Sequence, residues 1–497
     1  MTLGEVLAGA RLKQPLAPDL ARLQVEDLEY DSRRVQKGAV FFAFPGTRAD
    51  GRDFAVQAMK AGAVATISDL PPPEGFAGPW LEVEHGRQAL ALAARNFFRR
   101  PDERVSLTGI TGTNGKTTTA YLADSIFRAA GKITALIGTI EYHLGDRVLS
   151  AVNTTPESLD LYRLFAELEQ MRGTFATMEV SSHALALGRI YGMSFHTVVF
   201  TNLTRDHLDF HRTMEDYFAA KRLLFTGAGG AAPKAAVINR DDERGASIKA
   251  GRETQVFWYG LGKDATVRAR HISSSFEGLR FEVQAPNHRF TVQSPLIGRI
   301  NVYNILAACG VGLSYGLTPE TIARGIAQCR SVPGRFERVD EGQPFVVVVD
   351  YAHTDDALRN VISVARSLEP KRVITLFGCG GDRDRTKRPI MGQVAAELSD
   401  YVVLTSDNPR SEDPLDIMND VLVGLRRKDT PWLAEPDRTT AIRRAIGEAR
   451  PGDIIILAGK GHETYQVLKD RTIPFDDREV ARDVLRGFGY RRPDAPQ

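Results

Sequence analysis

Short apolar runs that end in polar clusters recur along the chain, with helical stretches between them. In the middle third they are VSLTGITGTNGKTTTA (105–120), ITALIGTIEY (133–142), FATMEVSSHAL (175–185), HTVVFTNLTRDHLDFH (196–211) and KAAVINRDD (234–242). The last third repeats the device in PFVVVVDYAHTDD (344–356), RVITLFGCGGDRDRTKRP (372–389), DYVVLTSDNPRSEDP (400–414) and GDIIILAGKGHETYQ (452–466). Continuous apolar strands alternating with helices predict mainly parallel sheets covered on both faces, with ligands beyond the carboxyl ends of the strands. Between these blocks, residues 255–295 alternate apolar and polar positions, which predicts antiparallel strands decorating the middle domain. Near the start, Ala39–Phe44 reads as a strand ending in a Pro-Gly turn, AVQAMKAGAVATIS as helix and strand, and PPPEGFAGP (71–79) as a surface loop. The expectation is a three-domain α/β protein. It has a small α/β domain over 1–100, a central parallel sheet over 101–332, and a Rossmann-like doubly wound domain over 333–497, with VPGRFERV as the linker.

The stretch 105–120 carries the strongest chemical signal. A strand breaks at Gly112, Thr113, Asn114 and Gly115 into Lys116, Thr117 and Thr118 at a helix start. Small residues there let backbone N–H groups close around phosphate oxygens at the positive helix end. Lys116 supplies charge for β/γ-phosphates, and Thr117 a hydroxyl for Mg²⁺. The strict phosphate-loop pattern wants glycine where this chain has Ile110; Gly109 and Gly112 flank it, so the loop is a variant.

Composition narrows the picture. The 497 residues are 43% hydrophobic and 25% charged, with 64 basic and 62 acidic side chains. This balance argues against a general nucleic-acid footprint. Cys309, Cys329 and Cys379 are widely spaced and odd in number, so they read as buried small hydrophobes. Without a long apolar segment, the expected location is the cytoplasm, without membrane insertion. No GxGxxG opens the last domain, which disfavours a nicotinamide cofactor.

Other polar clusters admit two readings each. Ser32, Arg33, Thr47 and Arg48 line a site for an anionic, hydroxyl-rich ligand or are solvated turn residues. Glu179 follows a strand, and Asp206, His207, Asp209 and His211 follow another, while Lys221 lies on a helix; these either bind metal or cap and brace the chain. Asn301 and Asn304, three apart on a helix, bind a base or turn the chain. Arg383, Asp407, Asn408, Arg410 and Glu463 share one sheet edge. Arginines beside a carboxylate suit a zwitterionic amino acid, whereas a set of caps leaves the arginines unexplained.

In order along the chain, TGTNGKTTTA, NTTP (153–156), MEVSSH (178–183), TNLTRDHLDFH, the Lys221 segment, NVYNILAA, VPGRFE, DYAHT and GKGHE resemble the motifs of Mur ligases. These are ATP-dependent amino-acid ligases of peptidoglycan precursor synthesis. The likeness runs from about residue 28 to about 480. DSRRVQKGAVFFAFPG is similar to a UDP-binding domain of the family, and DNPR (407–410) to the signature of members that add meso-diaminopimelate.

The resemblance implies that ATP phosphorylates the D-glutamyl carboxylate of UDP-N-acetylmuramoyl-L-alanyl-D-glutamate, and that the amine of meso-2,6-diaminopimelate attacks the acyl phosphate. It implies catalytic roles for Lys116, Lys221, Glu179 and His207. Thr117 and Glu179 would serve one Mg²⁺; His207, Glu179 and an N6-carboxylated Lys221 would serve a second. An unmodified Lys221 would instead contact phosphate. By the same resemblance ATP meets Gly112–Thr118, Asn301, Asn304, Arg335 and Asp350. The uridine diphosphate and muramoyl dipeptide meet Ser32, Thr47, Arg48, Ala49, Asn153, Thr154, Thr155, Ser181 and Arg189, with Leu187 standing where some members have Gln. Diaminopimelate meets Arg383, Asp407, Asn408, Pro409, Arg410, Gly459 and Glu463. A monomer is expected. The rival within the family is a lysine-adding ligase, and a folylpolyglutamate synthase would lack the N-terminal UDP-binding domain. From another class, a P-loop hydrolase or nucleotide switch would leave the arginines of the third domain without a role.

Overall fold

The computed structural model describes residues 1–46 and 49–491. Thr47 and Arg48, expected at the uridine diphosphate, lie outside the described residues. The chain forms two compact units.

The first unit opens with four parallel strands in the order Asp27–Glu29, Ala39–Phe42, Ala65–Ser68 and Trp80–Glu82. The apolar runs read from sequence then build a larger sheet. Its parallel strands run in the order Gln255–Gly260, Ala235–Asn239, Thr197–Phe200, Ser106–Thr111, Phe175–Glu179 and Thr134–Ile137. Beyond Thr134–Ile137, the antiparallel hairpin Glu141–Leu144 and Arg147–Ser150 forms an edge of the sheet. The chain leaves Ser106–Thr111 for one side of the sheet, returns through Phe175–Glu179, and then crosses to Thr197–Phe200 on the opposite side. That reversal opens a crevice at the carboxyl ends of these strands, where α/β sheets bind ligands. Helix Ser158–Gln170 joins both sheets of this unit: Arg163 donates to Glu29 at 2.8 Å and to Leu28 O at 2.9 Å, and Tyr30 donates to Asp160.

One expectation fails here. Gln255–Gly260 pairs in parallel with Ala235–Asn239 rather than antiparallel. Its alternation records one half-exposed face, and burial pattern alone does not set strand direction. The other three runs, Val267–Ser275, Gly278–Ala285 and His288–Ser294, pair antiparallel as expected.

The second unit is built on a six-stranded sheet in the order Glu337–Val339, Val346–Asp350, Ile454–Ala458, Val373–Phe377, Tyr401–Leu404 and Trp432–Ala434; its first pair is antiparallel and the rest parallel. Ile454 and Ile456 face one layer, with Leu358, Met391 and Val421 from helices Asp355–Arg366, Lys387–Leu398 and Pro414–Leu425. Ile455 and Leu457 face the other, with Ile442 and Leu485 from Arg438–Glu448 and Asp477–Gly487. Each fully buried Ile or Leu contributes about 1.5–3 kcal/mol, so a doubly covered strand needs the all-apolar sequence IIILA. Its polar continuation, GKGHE, is thereby delivered to the sheet edge.

Candidate active site

The phosphate loop is the first element of the site. Strand Ser106–Thr111 runs into helix Lys116–Ala129 through Gly112 and Gly115, with φ of 147° and 87°. A Cβ on Gly112 would lie 1.8 Å from Thr201 Oγ1, so only glycine fits there. Asn202, after the neighbouring strand, holds the loop's shape. Its Oδ1 accepts from Asn114 N at 2.9 Å, its Nδ2 donates to Asn114 O at 3.0 Å, and its carbonyl accepts from Thr113 N at 2.9 Å. Lys116 Nζ arches over the loop to the carbonyls of Gly112 (3.1 Å) and Thr113 (2.9 Å). Thr117 and Thr118 are buried in the first helical turn.

Lys221 reaches the same loop. It sits on helix Met214–Arg222, 1% exposed, donates to Gly112 O at 2.8 Å, and lies 4.4 Å from the centre of the Tyr217 ring. Glu179 ends the strand paired with the loop's own strand, in register with Ile110. Its carboxylate is 1% exposed and accepts from Thr139 N at 2.9 Å and Thr139 Oγ1 at 3.1 Å.

Beside Glu179 the structure gathers the residues expected at the muramoyl dipeptide. Thr155 Oγ1 donates to Glu179 O at 2.9 Å and accepts from Ser181 N at 3.0 Å. Thr154 Oγ1 is 3.1 Å from Thr139 Oγ1, and Asn153 O accepts from the Tyr142 hydroxyl at 2.6 Å. Arg189 donates to Thr155 O at 2.8 Å and pairs with Glu157 at 3.0 Å; Arg87 approaches the same Glu157 oxygen at 3.4 Å. Ser32 lies in the turn after the first strand, beside the Asp31–Arg33 pair, which holds the Asp31 carboxyl below its usual range. Ala49 O accepts from Gly46 N at 2.9 Å.

In the second unit, Asp407, Asn408, Pro409 and Arg410 form a loop after strand Tyr401–Leu404 and are not helix caps; Asp413 caps the next helix. Gln466 Nε2 donates to Asp407 O at 2.6 Å, Val467 N to Asn408 Oδ1 at 2.9 Å, and Arg410 N to Val467 O at 3.1 Å. Asn408 Nδ2 donates to Glu463 Oε2 at 2.9 Å. Arg410 Nη1 donates to Gly381 O at 2.8 Å, and Arg383, exposed, to Asp382 O at 3.1 Å. Gly459, at φ 113°, faces Asp407: a Cβ there would stand 3.4 Å from its carboxylate. The carboxylate, amide and guanidinium groups expected to hold an amino acid therefore share this edge.

The remaining expected nucleotide contacts also belong to the second unit. Asp350 ends its strand and accepts from Phe336 N at 2.8 Å and Ala352 N at 2.9 Å; burial raises its pKa, opposed by Arg335 and these backbone bonds. Arg335 stands 5.0 Å from the centre of the Tyr351 ring, which also packs on His462. Burial, then Arg335 and Arg478, pushes His462 down to about 4. Asn301 and Asn304 are buried on helix Arg299–Ser314, where Asn304 donates to Asn301 at 2.9 Å and Asn301 to Ile297 O at 2.7 Å. His207 has φ 54° and its ring lies 3.4 Å from Asp206.

Among the described residues no group of three His, Cys, Asp or Glu side chains forms a metal cage. The donors at the phosphate loop nonetheless fit Mg²⁺, which takes hard oxygens, few protein ligands and substrate phosphates. The Thr117 hydroxyl and the enclosed Glu179 carboxylate are such oxygens. A lysine ammonium offers no lone pair; a carbamate on Lys221 would.

Three contributors escaped the sequence reading. Asn202 lies inside a quoted motif, but its role in shaping the loop appears only when two strands meet. Glu157, just after the quoted NTTP, is the anion shared by Arg87 and Arg189. Lys460 lies inside the quoted GKGHE, flanked by two glycines, and is fully buried.

Family comparisons cover most of the chain. The family description "Mur ligase family, catalytic domain" matches residues 24–98, "Mur ligase middle domain" 110–312, and "Mur ligase, glutamate ligase domain" 334–461. A UDP-N-acetylmuramoyl-L-alanyl-D-glutamate--2,6-diaminopimelate ligase of Solibacter usitatus is 69% identical over 490 residues, covering 99% of both chains. One from Geobacillus thermodenitrificans is 46% identical over 463 residues, covering 92% of this chain and 94% of its own. A solved structure of a ligase of the same description superposes with a TM-score of 0.71 at 31% identity, covering 98% of this chain and 99% of that one. With three family descriptions matched along its length and full-length relatives at these identities, the chain belongs to the Mur ligase family.

Proposed function

We propose that this ligase joins meso-2,6-diaminopimelate to the D-glutamyl carboxylate of UDP-N-acetylmuramoyl-L-alanyl-D-glutamate at the expense of ATP, in peptidoglycan precursor synthesis. The full-length relatives are ligases of those two compounds. The observation that carries the acceptor assignment is the loop 407–410, pinned to Glu463 and to residues 466–467, with Arg410 aimed by a backbone carbonyl. The three-domain division at about residues 100 and 332 belongs to the same reading, as does a cytoplasmic monomer; no described helix is long and apolar enough to cross a membrane.

The chemistry follows from a poor electrophile. A carboxylate oxygen takes the γ-phosphoryl group, the β–γ anhydride bond breaks, and ADP departs. The acceptor amine then attacks the acyl carbon, a C–N bond forms, a proton leaves nitrogen, and phosphate is expelled. Both first reactants are anionic, so their approach must be offset by fixed positive charge. Lys116 and the backbone N–H groups of Gly112–Thr118 supply it. Thr117 and Glu179 would hold Mg²⁺, and Glu179, His207 and a carboxylated Lys221 a second ion. Bound Mg²⁺ would polarise phosphoryl oxygens and neutralise charge.

Asn301 and Asn304 would meet adenine, and Arg335 and Asp350 the ribose and phosphates. Ser32, Thr47, Arg48 and Ala49 would meet the uridine diphosphate. Asn153, Thr154, Thr155, Ser181 and Arg189 would hold the dipeptide. Arg383, Asp407–Arg410, Gly459 and Glu463 would hold diaminopimelate, with Arg410 on the carboxylate that lysine lacks.

Isotope transfer tests the acyl phosphate. With heavy oxygen in the glutamyl carboxylates, one labelled oxygen should appear in each phosphate released, by mass spectrometry. Unlabelled phosphate accompanied by amide product would exclude this route.

A further inference from the structure

Lys460 is 0% exposed, and a buried ammonium is costly unless charge and hydrogen bonds compensate it. Its Nζ meets Asn408 Oδ1 at 3.1 Å, Glu463 Oε2 at 3.2 Å and Asp407 Oδ1 at 3.4 Å, one acceptor for each of its three donors. Two consequences follow. Asn408 Oδ1 is committed to Lys460 and to Val467 N, so its Nδ2 is turned toward Glu463. Glu463 Oε2 receives both Asn408 and Lys460, which leaves Oε1 as the oxygen for a ligand cation.

The backbone fixes the lysine as firmly as its partners do. Gly459 and Gly461 flank it at φ 113° and 54°, and a Cβ on Gly461 would lie 2.8 Å from Tyr351 Cα. Strand Ile454–Ala458 thus ends in a Gly-Lys-Gly turn that aims one side chain inward, beneath the acceptor edge.

We propose that Lys460 is a positioning residue for acceptor recognition, orienting the Glu463 carboxylate, directly and through the Asn408 amide, so that Glu463 Oε1 receives an ammonium group of the incoming amino acid. Being enclosed, it acts through these two side chains and touches no substrate. The inference rests on the acceptor reading above and adds the residue that sets its geometry.

The test is steady-state kinetics on the full chain with Lys460→Met, which keeps length without charge, and Lys460→Gln, which keeps hydrogen bonding without charge. Each is combined with Glu463→Gln, and thermal melts report folding. The expected result is a KM for diaminopimelate raised about tenfold or more by either Lys460 change, with KM for ATP shifted by less than about twofold. On the Glu463→Gln background, the further effect of changing Lys460 on that KM should largely vanish, the signature of two residues acting as one. An unchanged KM for diaminopimelate, equal rises for ATP and diaminopimelate, or additive effects in the double variants would overturn the inference. If the unaltered chain shows no diaminopimelate-dependent turnover, the acceptor reading itself falls; if it does and the Lys460 variants match it, only the role of Lys460 falls.

Discussion

Arg410 is the residue we assign to the second carboxylate that separates diaminopimelate from lysine, and its Nη1 donates to Gly381 O at 2.8 Å. A lysine in its place keeps the charge but loses the planar fork that matches a carboxylate. Arg410→Lys is therefore expected to lower kcat/KM for diaminopimelate about a hundredfold, the size of a lost charge-assisted pair, while leaving KM for ATP unchanged. Unaltered diaminopimelate kinetics would remove Arg410 from the site. Lys116 is assigned a different role, offsetting the negative charge of the phosphates and the leaving group as the phosphoryl group transfers. Lys116→Ala should cut kcat by about 10²–10³-fold in a phosphate-release assay without unfolding the chain. What the sequence conceals at this scale is burial. Lys116 was readable because glycines and a helix start surround it. Lys460 was not, because its enclosure depends on the 407–410 loop, more than forty residues earlier in the chain.

At the scale of elements, the phosphate loop and the Gly-Lys-Gly turn each convert a buried strand into a shaped edge. Gly112 is the hinge of the first. Gly112→Ala must displace Thr201 or the strand behind it, since the added Cβ would fall 1.8 Å from Thr201 Oγ1. The expected outcome is a loss of about 1–3 kcal/mol of stability by chemical denaturation, together with loss of nucleotide binding by calorimetry. Retention of both would show that the loop adapts. The strands themselves were legible because a strand covered on both faces must be apolar throughout, as in VVVVD and IIILA. The direction of Gln255–Gly260 was not, because a strand of alternating pattern pairs either way and its partner decides. The candidate acceptor edge was legible in part: its arginines and Glu463 announce themselves by charge, whereas the hydrogen bonds that tie Gln466 and Val467 to the 407–410 loop need the folded hairpin.

For the whole molecule, His462 and Glu412 are two of the groups that tie stability to acid. His462 is held at about 4, against an ordinary 6.5, chiefly by burial. Glu412 is held at about 2, against 4.5, first by its hydrogen bonds to the fully buried Arg388 and then by Asp382 N. In both cases the unfolded chain binds the proton more tightly, so stability falls as pH falls. The His462 contribution should be lost between about pH 6.5 and 4, and that of Glu412 between about 4.5 and 2. Melting curves across that range should show decline beginning near pH 6.5, and Glu412→Gln should flatten the lower limb; a limb unchanged by that substitution would contradict the assignment.

The most direct measurement of the central claim is phosphate release by the intact chain with ATP, Mg²⁺ and UDP-N-acetylmuramoyl-L-alanyl-D-glutamate, comparing meso-diaminopimelate, L-lysine and no acceptor. The account predicts turnover that requires both substrates, runs with diaminopimelate far faster than with lysine, and yields a tripeptide product by mass. Phosphate release from folded protein that is indifferent to the acceptor would contradict it, and would make the chain a nucleotide hydrolase instead.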